Sequence, residues 1–220
     1  MSGRTASSSR PGASAVAIDL VLVTCRDRKL HIHAEPVKKP RGLSLPWGAV
    51  ARGESLQAVA ARIARRALGS APNWMEQVGA FSDHSTHPGG ASLSVCYAGV
   101  VPWTASAFWR EPQALAALGD RQRRMVTATL TMIRAQLEQA PIAFSLLDRD
   151  FTLSELQQTY ETVLVRRLHK ASFRRALQAA FLVEPTDEWR SEGRGRPAQL
   201  FRYAPRKRKS SRRGVRLDLL

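Results

Sequence analysis

Two cysteines, Cys25 and Cys96, are too few for a disulfide scaffold in a chain of 220 residues, and their spacing fits no metal-ligand or redox pair. Both fall in apolar runs and read as reduced core thiols. No stretch of roughly eighteen apolar residues is present, so a membrane-spanning helix is not expected. The opening MSGRTASSSRPG is polar and lacks the hydrophobic segment of a signal peptide, which points to a cytoplasmic protein with a flexible tail over residues 1–13. Acidic residues are scarce, with 18 Asp and Glu against 34 Lys and Arg and a net charge of +16, so polyanionic partners are expected. Aromatic residues make up only 7% and do not interleave with the basic ones, which counts against a surface for single-stranded nucleic acid.

What is present is enough apolar material, 44% of residues, for one domain of ordinary size and a smaller second one. Ala15 to Cys25 is a run of small and branched apolar residues. A turn follows at Arg26-Asp27-Arg28-Lys29, and Leu30 to Val37 alternates with Leu30, Ile32 and Ala34 on one face, which predicts strand, turn, strand. His31 and His33 share the opposite face and read as exposed strand residues. Next comes LPWGAVARGESLQAVAARIARRALGS, in which Leu56, Val59, Ala60, Ile63 and Ala67 recur at helical spacing and form one stripe that can dock on a sheet. Met75 to Phe81 and Ala91 to Val101 are two further strands, the second preceded by the breaker Pro88-Gly89-Gly90.

This segment resembles the Nudix box, G-x5-E-x7-R-E-U-x-E-E-x-G-U with U a bulky aliphatic residue. Gly48, Glu54, Arg62 and Gly69 stand in register. In that family the late glutamates hold divalent cations around a diphosphate. Here their positions carry Ile63, Arg66 and Ala67, so the resemblance implies a Nudix-type α/β/α sandwich without the metal site. Hard cations require carboxylate oxygens, and a guanidinium brings charge of the metal's own sign to the same place. No catalytic residue, no metal and no cofactor is therefore expected. The histidines and Asp83 match no closed metal motif in their spacing.

The stretch WMEQVGAFSDHSTHPGGASLSVCYAGVVP is similar to the sensor domain of Nudix-related transcriptional regulators, the NrtR family, where an E-Q-x-x-x-F-x-D core leads into a strand ending in V-P. The resemblance implies a nucleotide effector from NAD metabolism, such as ADP-ribose, in the former hydrolase cleft. On this reading Arg62 and Arg66 contact phosphates in place of a metal, Trp47 or Phe81 stacks on a base, and Glu54 and His84 complete the ligand site. The family's loop commonly reads R-D-P-R-G-R where this chain has Ser85-Thr86-His87-Pro88-Gly89-Gly90, so cations expected there are missing, and either the effector differs from ADP-ribose or the site is inactive.

A helix from about Asp120 to Gln139 carries Val126, Leu130, Ile133 and Leu137 on one face, ends before Pro141 and bridges to the second domain. The domains are thus 14–140 and 141–204, followed by a basic tail, 205–220, too polar to build a core. Residues 141–220 hold 17 Lys and Arg against 9 Asp and Glu, the same excess as the longer remainder, so the C-terminal part is the more densely basic. Thr152 and Glu155 form a capping box ahead of Leu153, Leu156, Tyr160, Val163 and Leu164. A basic turn spans Val165 to His169, and a second helix over Lys170 to Ala180 places Phe173, Ala176, Leu177 and Ala180 on one stripe and Lys170, Arg174 and Gln178 on another.

Such a pair is a helix-turn-helix, whose second helix presents polar side chains to the major groove. Arg174 or Arg175 is suited to guanine, while Arg167, Lys170 and Ser172 suit phosphates. Phe181-Leu182-Val183 and Leu200-Phe201-Arg202-Tyr203 read as two strands joined by a loop with Gly193-Arg194-Gly195-Arg196-Pro197, so that Arg194, Arg196 and Arg202 belong to a basic wing. This region is similar to the winged helix domain of the same regulators, in the same order along the chain. The resemblance implies a dimeric repressor on a palindromic double-stranded operator. Two rival readings predict other behaviour: a residual hydrolase of nucleoside diphosphate derivatives would be magnesium-dependent, and an RNA-binding or scaffold protein would take single strands as readily as duplex.

Overall fold

The computed structural model describes residues 15–38, 42–83, 87–191 and 196–205. The N-terminal tail, His84, Arg194 and the basic tail beyond residue 205 lie outside the described residues. Strand β1 (Val16–Arg26) turns at Asp27 and Arg28, both at positive φ, into β2 (Lys29–His33). Short strands β3 (Glu35–Val37), β4 (Gly42–Ser44) and β5 (Trp47–Ala49) precede helix α1 (Leu56–Leu68). Strands β6 (Trp74–Phe81), β7 (Leu93–Val100) and β8 (Trp109–Arg110) follow, then a 3-10 turn over Pro112–Ala117 and helix α2 (Asp120–Gln136).

These strands form a mixed sheet in the order β6-β7-β1-β2-β8, with β5 also paired to β1. β1 and β7 run parallel through eight registered pairs, from Val16–Leu93 to Val23–Val100. Both faces of β1 are buried. Ile18, Leu20 and Leu22 pack on Val59, Ala60 and Ile63 of α1, whereas Val21 and Val23 pack toward Met125, Val126 and Ile133 of α2. A sheet with a helix on each side explains why the β1 run is almost wholly apolar. The Ser55 hydroxyl caps α1 by accepting the Ala58 N–H, and Gly69 closes it at φ 81°, a conformation that favours glycine.

The second domain comprises α3 (Ile142–Ser145), β9 (Asp150–Phe151), α4 (Leu153–Leu164), α5 (Lys170–Ala180), β10 (Val183–Arg190) and β11 (Ala198–Tyr203), with the sheet order β10-β11-β9. The Thr152–Glu155 capping box is formed in both directions. Tyr160 of α4 and Phe173 of α5 meet edge to face with centroids 5.4 Å apart, and Phe144 stacks on Tyr203 at 4.5 Å. Full burial of side chains such as Phe173 and Leu177 contributes about 1.5–3 kcal/mol each.

Several sequence expectations are corrected. The strand predicted at Phe181-Leu182-Val183 begins only at Val183, because Phe181 takes φ 52° and closes α5 as its C-cap. The strand predicted over Leu30 to Val37 breaks at Ala34, whose N–H bonds the Phe108 carbonyl rather than a sheet partner. α2 stops at Gln136, not Gln139. His33, read as exposed, is fully buried against Phe108 and Trp109, and burial with help from the Arg110 charge lowers its pKa from 6.5 to about 4. Burial likewise pushes the Cys96 thiol up to about 12. Among the described residues no helix is long and apolar enough to cross a membrane.

One apolar cluster runs from Val21, Val23 and Ile32 through Met125 and Ile133 to Leu156, Tyr160 and Phe173, so the two domains share a core. Polar contacts cross the same junction as well. Arg134 of α2 donates to the Val163 carbonyl at 3.0 Å, and Arg28 of the β1–β2 turn reaches Glu161 of α4 at 3.4 Å.

Candidate functional site

The residues of the Nudix-like segment do not converge on one point. Around α1, Arg62 donates Nε and Nη2 to the two carboxylate oxygens of Glu54 at 3.2 and 3.0 Å and Nη2 also to the Ala49 carbonyl at 3.3 Å. The Arg62 hydrogen bond, aided by the Ala51 N–H, lowers the Glu54 pKa. Arg66 donates to the Trp47 carbonyl at 2.9 Å. These guanidiniums thus brace the loop before α1 while remaining at the surface. Of the positions where the family has metal-binding glutamates, Ile63 is buried in the core, Arg66 holds Trp47, and Ala67 offers no oxygen, so these positions do not fit a hard divalent cation.

Trp47 and Phe81 lie on the other face of the sheet. Trp47 pairs with Asp19 in register, crosses the His87 ring edge to face at 5.0 Å and lies against Gly89, where an added Cβ would approach its ring to 2.3 Å. Phe81 packs on the α2-side core.

Beneath Trp47 is a buried polar cluster that sequence reasoning missed. His87 Nδ1 accepts the Gly89 N–H at 3.0 Å, which leaves Nε2 as the protonated nitrogen to donate to Asp19 at 3.1 and 3.2 Å. Gln122 of α2 donates to Asp19 at 2.7 Å and its Oε1 accepts the Leu45 N–H at 3.1 Å. Next to it the buried Arg121 grips both ends of the loop between β6 and β7, through Asp83 Oδ1 at 2.9 Å, the Asp83 carbonyl at 3.0 Å and the Ala91 carbonyl at 2.9 Å; Arg124 also pairs with Asp83. The first turn of α2 therefore holds the loop on which Trp47 rests. A carboxylate in the apolar β1 run, and Arg121 and Gln122 at positions that continue the buried stripe of Met125, Val126 and Thr129, were the available signals.

In the second domain the described basic residues fall into two groups. Lys170, Arg174 and Arg175 are exposed along α5, opposite buried Phe173 and Leu177. Ser172 is partly buried, and its Oγ lies 3.4 Å from Arg175 and 3.3 Å from His169. Arg167 is exposed in the turn and Arg196 at the base of the wing. Arg202, in contrast, holds Asp150 through Nε at 2.8 Å and Nη2 at 2.7 Å and so ties β11 to β9.

The turn of the helix pair is organised by Glu161, only 9% exposed. Its Oε1 accepts the Leu168 N–H at 2.9 Å and the Gln157 amide at 3.2 Å, while Oε2 meets Arg28 at 3.4 Å and Arg167 at 3.5 Å. Burial pushes the Glu161 pKa up, but these hydrogen bonds and charges outweigh it and the net shift is downward.

The profile of the NrtR DNA-binding winged helix domain matches residues 143–203. A curated relative described as an ADPR responsive transcriptional repressor NtrR, from Acinetobacter baylyi, is 29% identical over 174 residues, covering 73% of this chain and 69% of its own. The crystal structure of Shewanella oneidensis NrtR complexed with a 27mer DNA superposes with a TM-score of 0.72 at 24% identity, over 87% of this chain and 94% of that one. A MutT/nudix family protein from Enterococcus faecalis gives 0.68 at 18% identity, over 89% and 90%. At these identities the structures bear on the fold alone. With the winged helix matched by sequence and the whole architecture by shape, the chain is NrtR-like, a Nudix-type domain fused to an NrtR-type winged helix domain.

Proposed function

We propose that this chain is a DNA-binding transcriptional repressor whose Nudix-type domain senses a nucleotide, ADP-ribose or a close relative, without hydrolysing it. The observation that carries the reading is α5, a helix with one stripe in the core and Lys170, Arg174 and Arg175 on its open face, within a segment that matches a DNA-binding domain. On this reading α5 enters the major groove, with Arg174 or Arg175 reading guanine, Lys170, Ser172 and Arg167 setting register on phosphates, and Arg196 together with Arg194 serving the wing. The relative's description supplies the effector class.

The effector is assigned to the side of the sensor where Trp47, Phe81 and the loop after Asp83, which includes His84, lie, while Arg62, Arg66 and Glu54 on the α1 side brace the segment that carries Trp47. Because α2 grips this loop at one end and Val163 of α4 at the other, a change in the loop has a path to the helix pair. An effector acts only through unequal affinity for DNA-competent and DNA-incompetent states, so operator DNA must weaken effector binding by the same factor. A homodimer on a palindrome, in the cytoplasm, completes the proposal. Gel shifts on the DNA upstream of the chain's own gene, with ADP-ribose, NAD and AMP added singly, test it. A shifted band released by one nucleotide is expected, with no magnesium-dependent turnover of that nucleotide; absence of any duplex binding, or hydrolysis well above background, refutes it.

A further inference from the structure

Between the β1–β2 turn of the sensor and the helix pair of the second domain lies an open cleft of about 190 Å³. Three cations from three separate elements line it: Arg28 from the hairpin turn, Arg167 from the turn between α4 and α5, and Lys170, the first residue of α5. The α4 wall presents Gln157, Gln158 and Glu161.

Glu161 is the single acid in the lining, and it does not neutralise the group. Its Oε1 already serves the Leu168 N–H and the Gln157 amide, so both guanidiniums share Oε2 at 3.4 and 3.5 Å. Charge-assisted pairs close to about 2.7–2.9 Å when nothing opposes them. Arg28 and Arg167 are 45% and 79% exposed in their side chains and keep donors for a further acceptor. Lys170 has no partner among the described residues and is exposed. Three cations against one shared carboxylate, open to solvent, match an oxyanion with a permanent negative charge.

The position selects among such anions. Lys170 opens the helix whose outer face carries Arg174 and Arg175, so an anion here lies at the edge of the groove that α5 would enter. We propose that this cleft holds a phosphate of the DNA backbone and that Arg28, a residue of the Nudix-type domain, is one of its ligands. The inference rests on the DNA-binding reading above and extends it: the sensor domain itself touches the operator. A phosphate contact positions without reading sequence, so its loss acts equally on any duplex.

The test uses the full chain and a labelled duplex of mixed sequence, with affinity measured by anisotropy across a salt series. Each phosphate contact contributes about 0.9 to the slope of log affinity against log salt. Arg28→Gln is expected to lower the slope by up to about that amount with an unchanged melting temperature, Lys170→Gln likewise, and the double variant by about one phosphate's worth in total, because both cations serve the same phosphate. Arg28→Lys should retain the slope, and Arg52→Ala, an exposed cation away from the cleft, should leave it unaltered. A native slope in Arg28→Gln, or an equal loss in Arg52→Ala, overturns the site in favour of bracing through Glu161 or a diffuse field. If Arg28→Gln melts early, Arg28→Lys decides: a reduced slope in that variant overturns the proposal and a native one upholds it. Failure of the unaltered chain to bind duplex DNA at any salt would overturn the repressor reading as well, which separates the two.

Discussion

Replacing Glu161 tests how the helix pair is held. Glu161→Ala leaves the buried Leu168 N–H without its 2.9 Å acceptor. An orphaned buried donor costs about 1–3 kcal/mol. The pairs with Arg28 and Arg167 add little, because those side chains are 45% and 79% exposed and surface pairs contribute about 0–1 kcal/mol. A loss of about 2 kcal/mol in a cooperative chain of this size lowers Tm by about 4–8 °C. Glu161→Gln keeps an oxygen for Leu168 and should fall between the two. The pH dependence follows from the lowered pKa: the stabilisation is complete above the ordinary carboxylate range and fades as pH drops through the depressed value, where the unaltered chain should approach Glu161→Gln. Thermal melts of the three proteins across pH measure this. Equal Tm for the unaltered chain and Glu161→Ala, or equal losses for Gln and Ala, would refute the role given to the Leu168 bond.

Alanine at both Arg174 and Arg175 should abolish operator recognition in a gel shift and leave Tm unchanged, since both side chains are exposed; retained affinity removes them as readers. Gly89→Ala drives a Cβ into the Trp47 ring, and overpacking of this kind costs about 1–3 kcal/mol. A lower Tm with altered tryptophan emission is expected, and native values of both would contradict the packing. The depressed His33 pKa means that the unfolded chain takes up a proton between pH 6.5 and about 4 while the folded one does not, so stability should decline as pH falls through that window. In the His33→Leu variant, denaturant midpoints should lose that part of the pH dependence, and an unchanged profile would show that His33 is not its source.

Local periodicity carried much of this fold into the sequence. The α1 stripe, the Thr152–Glu155 box and the α5 stripe each depend on residues within a turn or two of one another, and each forms as spaced. Phe181 departs from the strand expectation: its apolar side chain suits a strand, whereas its backbone obeys the helix end before it. The polar contacts that organise the sites were illegible for a different reason. Gln122 and Asp19 are 103 residues apart, Arg121 and Asp83 are 38 apart, and Arg28 and Glu161 are 133 apart. No spacing rule links such pairs; only the folded sheet does. Arg202 shows the converse, a cation whose local context looked like a wing donor and whose partner, Asp150, lies on a neighbouring strand.

The apolar cluster that passes from β1 through α2 into α4 and α5 has a consequence for how this molecule can be divided. A cut near Pro141 would strip Tyr160 and Val163 of neighbours on one side and lay bare Met125 and Ile133 on the other, so each half would present a greasy wound to water. Sensor and reader are for that reason better regarded as two lobes grown on a common keel than as modules on a string, and a twist imparted to one lobe has no slack in which to be lost.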